Sequence, residues 1–257
     1  MMSVSVVLPA FNEAGNIGRL VRETAARLET VAEFEIIVVD DASEDDTAQE
    51  VQALFGTGQQ ISYLRHAVRA GQSAAIRTGV KAARYPVIAT MDGDGQNDPA
   101  DIGKLLGAMR SLDVDLVGGV RVRRNASASK RFASRFANGL RQCLLHDKCP
   151  DTGCGLKVFR RDAFLDLPYF SGMHRYIPAL FRAYGLRAAY EPVNDRPRRA
   201  GVSKYTNFGR GLIGVYDLIG VRWLIRRTVL SQAPALDRRA SASSPQSVRN
   251  DGPCLQH

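Results

Sequence analysis

Acidic residues follow three apolar segments in the first hundred residues of the chain. Glu13 comes shortly after the first segment, Asp40 and Asp41 end the second, and Asp92 and Asp94 follow the third. Carboxylates that lie close together repel one another, so their ionised forms need a cation or a set of hydrogen-bond donors. Oxygen ligands on a short loop suit Mg²⁺ or Mn²⁺, which typically share phosphate oxygens with a substrate. The pattern therefore predicts a divalent metal site that takes phosphate.

The acidic loop at residues 92–98 has two other interpretations. An EF-hand loop needs Gly at its sixth position and Glu at its twelfth, where this chain has Asn97 and Gly103, so that interpretation fails. A surface turn stays open, because Asp, Gly and Asn all favour turns. The acidic pair at residues 40–41 has an alternative of its own, a charge cluster at a helix N-terminus. The position of the loop after a buried strand, beside two other acidic strand ends, favours the metal site.

The elements that must position these residues alternate between strand and helix. Apolar, β-branched runs predict strands over residues 4–8, 34–40, 61–64, 86–91 and 114–117. Apolar residues at helical spacing predict helices over residues 17–28, 47–54, 74–83 and 99–109. This order predicts an α/β fold with a doubly wound, mostly parallel sheet. Ligands of such sheets bind beyond the carboxyl ends of the strands, where the acidic residues lie.

The pattern changes after about residue 120. Residues 129–145 form a basic amphipathic segment, residues 174–184 predict a helix, and residues 188–193 predict a late strand. Residues 207–230 are rich in Gly and partly apolar. The remaining residues, 231–257, are rich in Ser, Ala, Pro and Arg, a composition typical of disorder.

The net charge of the 257-residue chain is +9 and is unevenly spread. Residues 1–118 are acidic overall, whereas the rest carries a large excess of Lys and Arg. An acidic half suits a cation and a basic half suits an anionic partner, although a solvated basic surface gives the same pattern. We expect no nucleic acid partner, since the chain has neither zinc-finger spacing nor an RNP-like aromatic motif.

The sequence also constrains the cellular compartment. Four cysteines without metal-binding spacing are typical of reduced thiols in a cytosol. The N-terminus lacks the basic region of a signal peptide. No uninterrupted apolar run approaches the roughly 18 residues of a membrane span. We expect a cytoplasmic protein that does not cross a membrane.

The acidic motifs carry a family resemblance. The segments VVLPAFNE, VVDDASEDDT and MDGDGQNDP resemble glycosyltransferase family 2 enzymes with the Rossmann-like GT-A fold. Further along, DTGCGLKVFRRDAF and the pattern R-x-x-G-x-S-K-Y from Arg198 are similar to the branch of dolichyl-phosphate mannosyltransferases and undecaprenyl-phosphate glycosyltransferases. The match runs in order from about residue 3 to residue 228. It implies an inverting enzyme that moves one sugar from GDP-mannose or a UDP-sugar to a polyprenyl phosphate.

The resemblance also implies roles for individual residues. The residues implied to hold the base and ribose of the donor are Pro9, Phe11, Glu13, Val38 and Asp40. Those implied to bind Mg²⁺ or Mn²⁺ and the diphosphate are Asp92, Asp94 and Gln96, with Arg198 and Lys204 also on the diphosphate. Those implied to meet the acceptor phosphate are Arg121, Arg131 and Ser134. Asp94 and Arg121 are the implied catalytic residues. His174 and Arg175 match a motif near the donor sugar or phosphate, and Phe11 stands where the family usually has Tyr.

An acceptor phosphate makes cations more important than a general base. A phosphate monoester has a second pKa of about 6 and is largely ionised at neutral pH, so it needs no base in order to attack. It needs cations that hold it against a negatively charged donor, and the planar fork of Arg suits phosphate. The basic residues 121–141 fit this role, with a solvated helix face as the alternative.

A lipid acceptor requires contact with a membrane. In residues 207–230 apolar side chains share one side at helical spacing, and Trp223 lies among arginines, a mixture typical of interfacial anchors. A helix packed on the catalytic core has the same periodicity, so both interpretations stay open. We predict a GT-A domain over residues 1–206, a membrane-interface helix over residues 207–230 and a disordered tail over residues 231–257. The protein then works on the inner face of the membrane, as a peripheral enzyme or with a separate membrane subunit.

Two other functions are possible. A family 2 transferase with a sugar-hydroxyl acceptor needs a carboxylate base late in the chain and often a Q-x-x-R-W motif, and neither is recognisable in the sequence. A non-catalytic membrane-surface scaffold would have no need to keep repelling carboxylates together. The polyprenyl-phosphate transferase is therefore the main prediction.

Overall fold

The fold is a single mixed sheet with helices on both faces. A computed structural model describes residues 2–56, 58, 60–122, 139, 141–197 and 207–228, with the backbone alone for residues 207–213. The strands are β1 (Ser3–Ala10), β2 (Glu33–Asp40), β3 (Ile61–Arg65), β4 (Val87–Thr90), β5 (Leu116–Arg121), β6 (Lys157–Arg160) and β7 (Ala188–Val193). They lie in the order β3-β2-β1-β4-β6-β5-β7.

The strands run parallel to one another except β6. β1 pairs with β2 and β4, and Ala10 at the end of β1 lies opposite Asp40 at the end of β2. β6 is antiparallel to both of its neighbours, β4 and β5, and Lys157 at its start lies opposite Thr90 and Gly118. Because of this direction, the start of β6 lies at the edge of the sheet where the parallel strands end.

The helices follow the strands in alternation and then cluster near the C-terminal end. They are α1 (Ile17–Leu28), α2 (Thr47–Gln52), α3 (Gln72–Ala82), α4 (Asp101–Leu112), α5 (Arg161–Leu165), a 3₁₀ turn (Met173–Arg175), α6 (Ile177–Ala183) and α7 (Asn207–Arg227). Residues 141–145 are also helical. The bulk of the core comes from strands that are buried on both faces, as is typical of parallel sheets covered by helices.

Two hydrophobic clusters fill the two faces of the sheet. Val6 and Leu8 of β1 pack with α1, α2 and α4 on one face. Val7 of the same strand packs with α3, α5 and α6 on the other face. The strand period of two residues produces this division, because successive side chains point to opposite faces.

Helix α7 has two different sides. Leu218 and Val221 are buried in the cluster that contains α6. Tyr216, Ile219 and Trp223 are exposed, with Tyr216 80% accessible. Both predicted properties of this segment are therefore present, core packing on one side and an aromatic, apolar surface on the other. No helix in the described part of the chain is both long enough and apolar enough to cross a membrane.

Most of the predicted elements are confirmed, with ends that differ from the prediction by at most four residues. The fourth predicted helix begins at Asp101 instead of residue 99. The helix predicted over residues 174–184 is divided into the 3₁₀ turn and α6. β6 is an element that the sequence did not predict. Residues 231–257 and most of residues 129–145 lie outside the described residues.

Candidate active site

The end of β4 and the start of β6 border a cavity of about 450 Å³. Its wall includes Gln72 and Ser73 at the start of α3, Asp92 after β4, and residues 152–155 and Lys157 at the entrance to β6. The 3₁₀ turn contributes His174 and Arg175, and α7 contributes Asp217. The volume lies in the usual range for a small-molecule site. The cavity is therefore the candidate active site.

The carboxylates at the end of β2 are held by neighbouring loops. Asp40 accepts hydrogen bonds from the Ser43 amide (2.8 Å) and from the hydroxyl of Tyr63 (2.5 Å). Burial, and then this contact with Asp40, raise the pKa of Tyr63. Asp41 accepts hydrogen bonds from the backbone amides of Ala70 (2.8 Å) and Gly71 (2.7 Å). These partners belong to other segments than the N-terminus of α2, so the alternative of a charge cluster on that helix finds no support. Asp40 and Asp41 instead hold in place the loops that contain Ser43, Ala70 and Gly71.

The pKa of Asp41 shows how completely it is held. Burial acts to raise this pKa, but the amides of Ala70 and Gly71 and the ring of His66 outweigh burial and lower it. His66 Nδ1 lies 2.8 Å from Asp41 Oδ1, and its Nε2 lies 3.0 Å from Thr78 Oγ1. The loop at residues 66–71 is thereby tied to β2 and α3.

The end of β1 lies beside the end of β2. The Asn12 amide donates to Ser43 Oγ and the Glu13 amide donates to Thr47 Oγ1, both at 2.8 Å. The guanidinium of Arg69 lies 4.0 Å from the ring centroid of Phe11, one of the residues implied to hold the donor, and forms a cation–π contact with it. Val38, another predicted donor residue, is fully buried in the core two residues before the end of β2.

The loop after β4 brings two carboxylates together. Asp92 accepts a hydrogen bond from Gln72 Nε2 (2.7 Å), and Asp94 accepts one from the Gln96 amide (3.1 Å). Burial, followed by the charge of Asp94, raises the pKa of Asp92. A carboxylate pair whose ionisation is opposed in this way gains from a bound cation.

Glycines allow this loop to approach its neighbours. A Cβ on Gly93 would lie 2.9 Å from the carbonyl oxygen of Pro9, so the loop packs directly on the end of β1. A Cβ on Gly155 would lie 2.4 Å from the carboxyl carbon of Asp92. The carboxylate of Asp92 therefore rests against the bare backbone of the segment that enters β6.

The end of β5 carries Arg121, the first predicted acceptor residue. Its guanidinium makes two parallel hydrogen bonds with Asp151, Nε to Oδ2 at 2.7 Å and Nη2 to Oδ1 at 2.8 Å. Burial acts to lower the pKa of Arg121, but Asp151 outweighs it and raises the pKa. Of the remaining predicted residues, Arg131, Ser134, Arg198 and Lys204 lie outside the described residues.

Several residues of the cavity were missed by sequence reasoning. Lys157 is 5% exposed, and its ammonium group donates to the carbonyl oxygen of Cys154. Ser73 contacts His174, and Asp217 reaches the cavity from α7. The only signal in the sequence was the Lys at the head of the apolar segment KVF, within the motif DTGCGLKVFRRDAF.

Comparison with known proteins decides the family. The model of glycosyl transferase family 2 matches residues 5–167, which is more than half of the chain. The chain belongs to glycosyl transferase family 2. The predicted family is thereby confirmed, and the protein is a glycosyltransferase.

Two curated relatives belong to the predicted branch of this glycosyltransferase family. The chain is 33% identical over 230 residues to a dodecaprenyl-phosphate galacturonate synthase of Rhizobium johnstonii, covering 88% of this chain and 68% of the relative. It is 34% identical over 221 residues to an undecaprenyl-phosphate 4-deoxy-4-formamido-L-arabinose transferase of Klebsiella pneumoniae, covering 84% of this chain and 66% of the relative. The glycosyltransferase thus spans about two thirds of the length of both.

Solved structures confirm the predicted GT-A fold of the glycosyltransferase. Glucosyl-3-phosphoglycerate synthase of Mycobacterium tuberculosis, in complex with Mn²⁺, UDP and glucosyl-3-phosphoglycerate, superimposes with a TM-score of 0.67 at 20% identity. The match covers 90% of this chain and 82% of that chain. The complex of the same protein with Mg²⁺ and UDP gives a TM-score of 0.66 at 19% identity, covering 90% and 81%. At this identity the likeness shows the fold alone.

Proposed function

We propose that this glycosyltransferase moves one sugar from a nucleotide-sugar to a polyprenyl phosphate, with inversion at the anomeric carbon. The observation that carries the proposal is the pair of carboxylates formed by Asp92, which borders the cavity, and Asp94, whose charge raises the pKa of Asp92 after burial. The names of both curated relatives join a polyprenyl phosphate to a sugar, which supports the acceptor class.

The carboxylate pair is the proposed site of Mg²⁺ or Mn²⁺. Asp92, Asp94 and the side-chain oxygen of Gln96 form a set of oxygen donors of the kind that these ions prefer. The described residues contain no group of three or more His, Cys, Asp or Glu that could hold a metal by themselves. Mg²⁺ sites with one or two carboxylates are typically completed by water and substrate phosphates. A bound ion would stabilise the charge that develops on the leaving diphosphate.

The donor would lie along the ends of β1 and β2. Pro9 and Asp40 are buried at these strand ends, Glu13 is half-buried, and the aromatic ring of Phe11, with Arg69 beside it, would contact a nucleotide base. Val38 would support the end of β2 from within the core. Arg198 and Lys204 are proposed to neutralise the diphosphate. UDP in the two neighbouring structures supports a nucleotide donor.

The acceptor would approach from the side of β5. Asp151 holds the fork of Arg121 in one orientation, so that its remaining donors are fixed before a phosphate arrives. Positioned charge of this kind costs little reorganisation during the reaction. Arg131 and Ser134 are proposed as further contacts to the acceptor phosphate.

Helix α7 is proposed to bring the enzyme to the membrane. Its exposed Tyr216, Ile219 and Trp223 are followed by Arg226 and Arg227 in the last turn. Aromatic and apolar side chains beside arginines suit the interface of an anionic bilayer. The protein would then act as a peripheral enzyme at the membrane surface, alone or with a separate membrane subunit.

A second candidate function has one observation in its favour. A sugar-hydroxyl acceptor requires a base, and Asp217, a carboxylate late in the chain, borders the cavity. It makes no hydrogen bond or ion pair with the residues that the structure describes. The sequence alone did not identify this residue as a base.

The first experiment measures transfer from labelled GDP- and UDP-sugars to undecaprenyl phosphate in detergent, with Mg²⁺ or Mn²⁺ and then with EDTA. We expect a labelled lipid that EDTA and the substitution Asp94→Ala both abolish, while the variant stays folded. Asp217→Asn should remain active with the phosphate acceptor, because no base is needed. Transfer to sugar hydroxyls alone, lost in Asp217→Asn, would establish the second candidate instead.

A further inference from the structure

Two cations border the cavity and form no ion pair with a carboxylate of the described residues. Lys157 is almost fully buried, and within the described part of the chain its ammonium group donates to the backbone carbonyl of Cys154 alone. The guanidinium of Arg175 makes no hydrogen bond or ion pair with any residue in the described part of the chain. Buried charges are normally paired, because their transfer from water is costly. Within the described residues, these two charges are therefore not fully compensated.

The acidic residues of the cavity do not complete them. Asp92 and Asp217 line the same space, yet neither forms an ion pair with Lys157 or Arg175 among the described residues. A cation bound at Asp92 and Asp94 would compensate the first of these acids. Two positive groups would then face a single carboxylate, Asp217.

His174 adds a neutral donor beside the two cations. The backbone amide of His174 donates to Ser73 Oγ (3.3 Å), and the same hydroxyl lies 2.8 Å from His174 Nδ1. The hydroxyl proton has no other acceptor among the described residues, so it is directed at Nδ1, and the ring proton then sits on Nε2. Burial, and then the charges of Arg175 and Lys157, lower the pKa of His174 to about 3. At neutral pH the ring is uncharged, and it belongs to the wall of the cavity.

We propose that Lys157, Arg175 and His174 form an oxyanion-binding site within the cavity, separate from the metal-binding carboxylates. This inference rests on the proposed function and specifies the chemistry of its substrates. The oxyanion is the phosphate of the lipid acceptor or a carboxylate on the transferred sugar, as galacturonate carries. Both present several oxygens to three residues that line the same cavity, and both would compensate two cations that form no ion pair with the described residues.

The test compares Lys157→Met and Arg175→Gln with Lys81→Met, which removes one charge from the exposed surface of α3. Two quantities are measured with the full chain and Mg²⁺. The first is the KM for undecaprenyl phosphate. The second is the ratio of the dissociation constants for UDP-galacturonate and UDP-galactose, with GDP-mannuronate and GDP-mannose as the guanine pair. Thermal melting confirms folding, and Arg175→Gln carries the test if Lys157→Met does not fold.

Each source of the oxyanion gives a distinct result. A rise of about tenfold or more in the KM for the lipid, with unchanged donor binding, assigns the site to the acceptor phosphate. A similar loss of affinity for the acidic sugar alone assigns it to a sugar carboxylate. If the folded variants match Lys81→Met in both quantities, the inference is wrong. If the wild-type chain binds no nucleotide-sugar and transfers nothing, the proposed function itself fails.

Discussion

Buried charge is treated differently in two regions of the molecule. One is the end of β2, and the other is the cavity wall formed by the start of β6 and the 3₁₀ turn. Asp41 is held by two backbone amides and by His66. Lys157 and Arg175 form no close ion pair with any of the described residues, although the charge of Lys157 acts on Asp92. The first region is complete before any ligand arrives, whereas the second requires one.

The same contrast separates two aspartates at neighbouring strand ends. Hydrogen bonds lower the pKa of Asp41 against the effect of burial, while burial and Asp94 raise the pKa of Asp92. Residue type therefore does not decide which carboxylate is support and which is site. The number of donors that the fold supplies decides it.

The largest effect is expected from closing the gap between Asp92 and the segment before β6. Gly155→Ala places a methyl group 2.4 Å from the carboxyl carbon of Asp92, so the carboxylate must move. Displacement of a metal ligand should cut transfer by about a hundredfold, since second-shell changes alone cost 10- to 100-fold. Initial rates at saturating Mg²⁺ measure this.

Gly107→Ala is the matched control. A Cβ there meets nothing within 4 Å on the exposed side of α4, so activity should be unchanged and stability should rise by up to about 1 kcal/mol. Equal activity of the two variants would contradict the proposed role of Asp92.

The first strands of the sheet could be predicted from the sequence because they are continuous apolar runs. The segments between them have apolar residues at helical spacing. β6 was not, since it has only four residues, begins with Lys157 and pairs antiparallel with both of its neighbours. The loop at residues 92–98 was recognisable because its chemistry is local.

The part of the cavity that contains Lys157, His174 and Arg175 depends on contacts between distant parts of the chain. Ser73 meets His174 across 101 residues, and Arg121 meets Asp151 across 30. Only the insertion of β6 between β4 and β5 brings Lys157 to the site of Asp92. No pattern of spacing along the chain encodes these pairs.

The next largest effect concerns the exposed side of α7, which carries Tyr216, Ile219 and Trp223. The double substitution Ile219→Ser and Trp223→Ser alters exposed side chains and leaves the buried Leu218 and Val221 intact. We expect several-fold weaker co-sedimentation with vesicles that contain anionic lipid, and unchanged transfer in detergent. Equal vesicle binding of variant and wild type would remove α7 as the membrane contact.

The smallest effects are shifts in melting temperature that carry opposite signs. Without metal at neutral pH, Asp41→Asn should lower Tm by about 3 °C or more, because the amides of Ala70 and Gly71 lose a charged acceptor. Asp92→Asn should raise Tm by about 2 °C, because it removes a charge whose ionisation is opposed. Calorimetry in EDTA measures both.

The pH dependence follows from the two directions of the pKa. The lowered pKa of Asp41 contributes stability above the unfolded pKa of about 3.9, and this is lost as pH falls through the folded value. The raised pKa of Asp92 has the opposite sign: its cost is absent below about pH 3.9 and grows as pH rises through the folded value. Both differences from wild type should therefore shrink towards acid pH. Shifts of the same sign at neutral pH would contradict the contrast between the two regions.

The reversed direction of β6 has a consequence for how such a molecule can diversify. The chain leaves the functional edge at the end of β5 and returns to the same edge at the start of β6. Whatever lies between these two points is anchored at both ends beside the reacting groups, and its length does not alter the pairing of the strands. Under the proposed function, a change in this connection would alter the acceptor side of the site and leave the donor side unchanged.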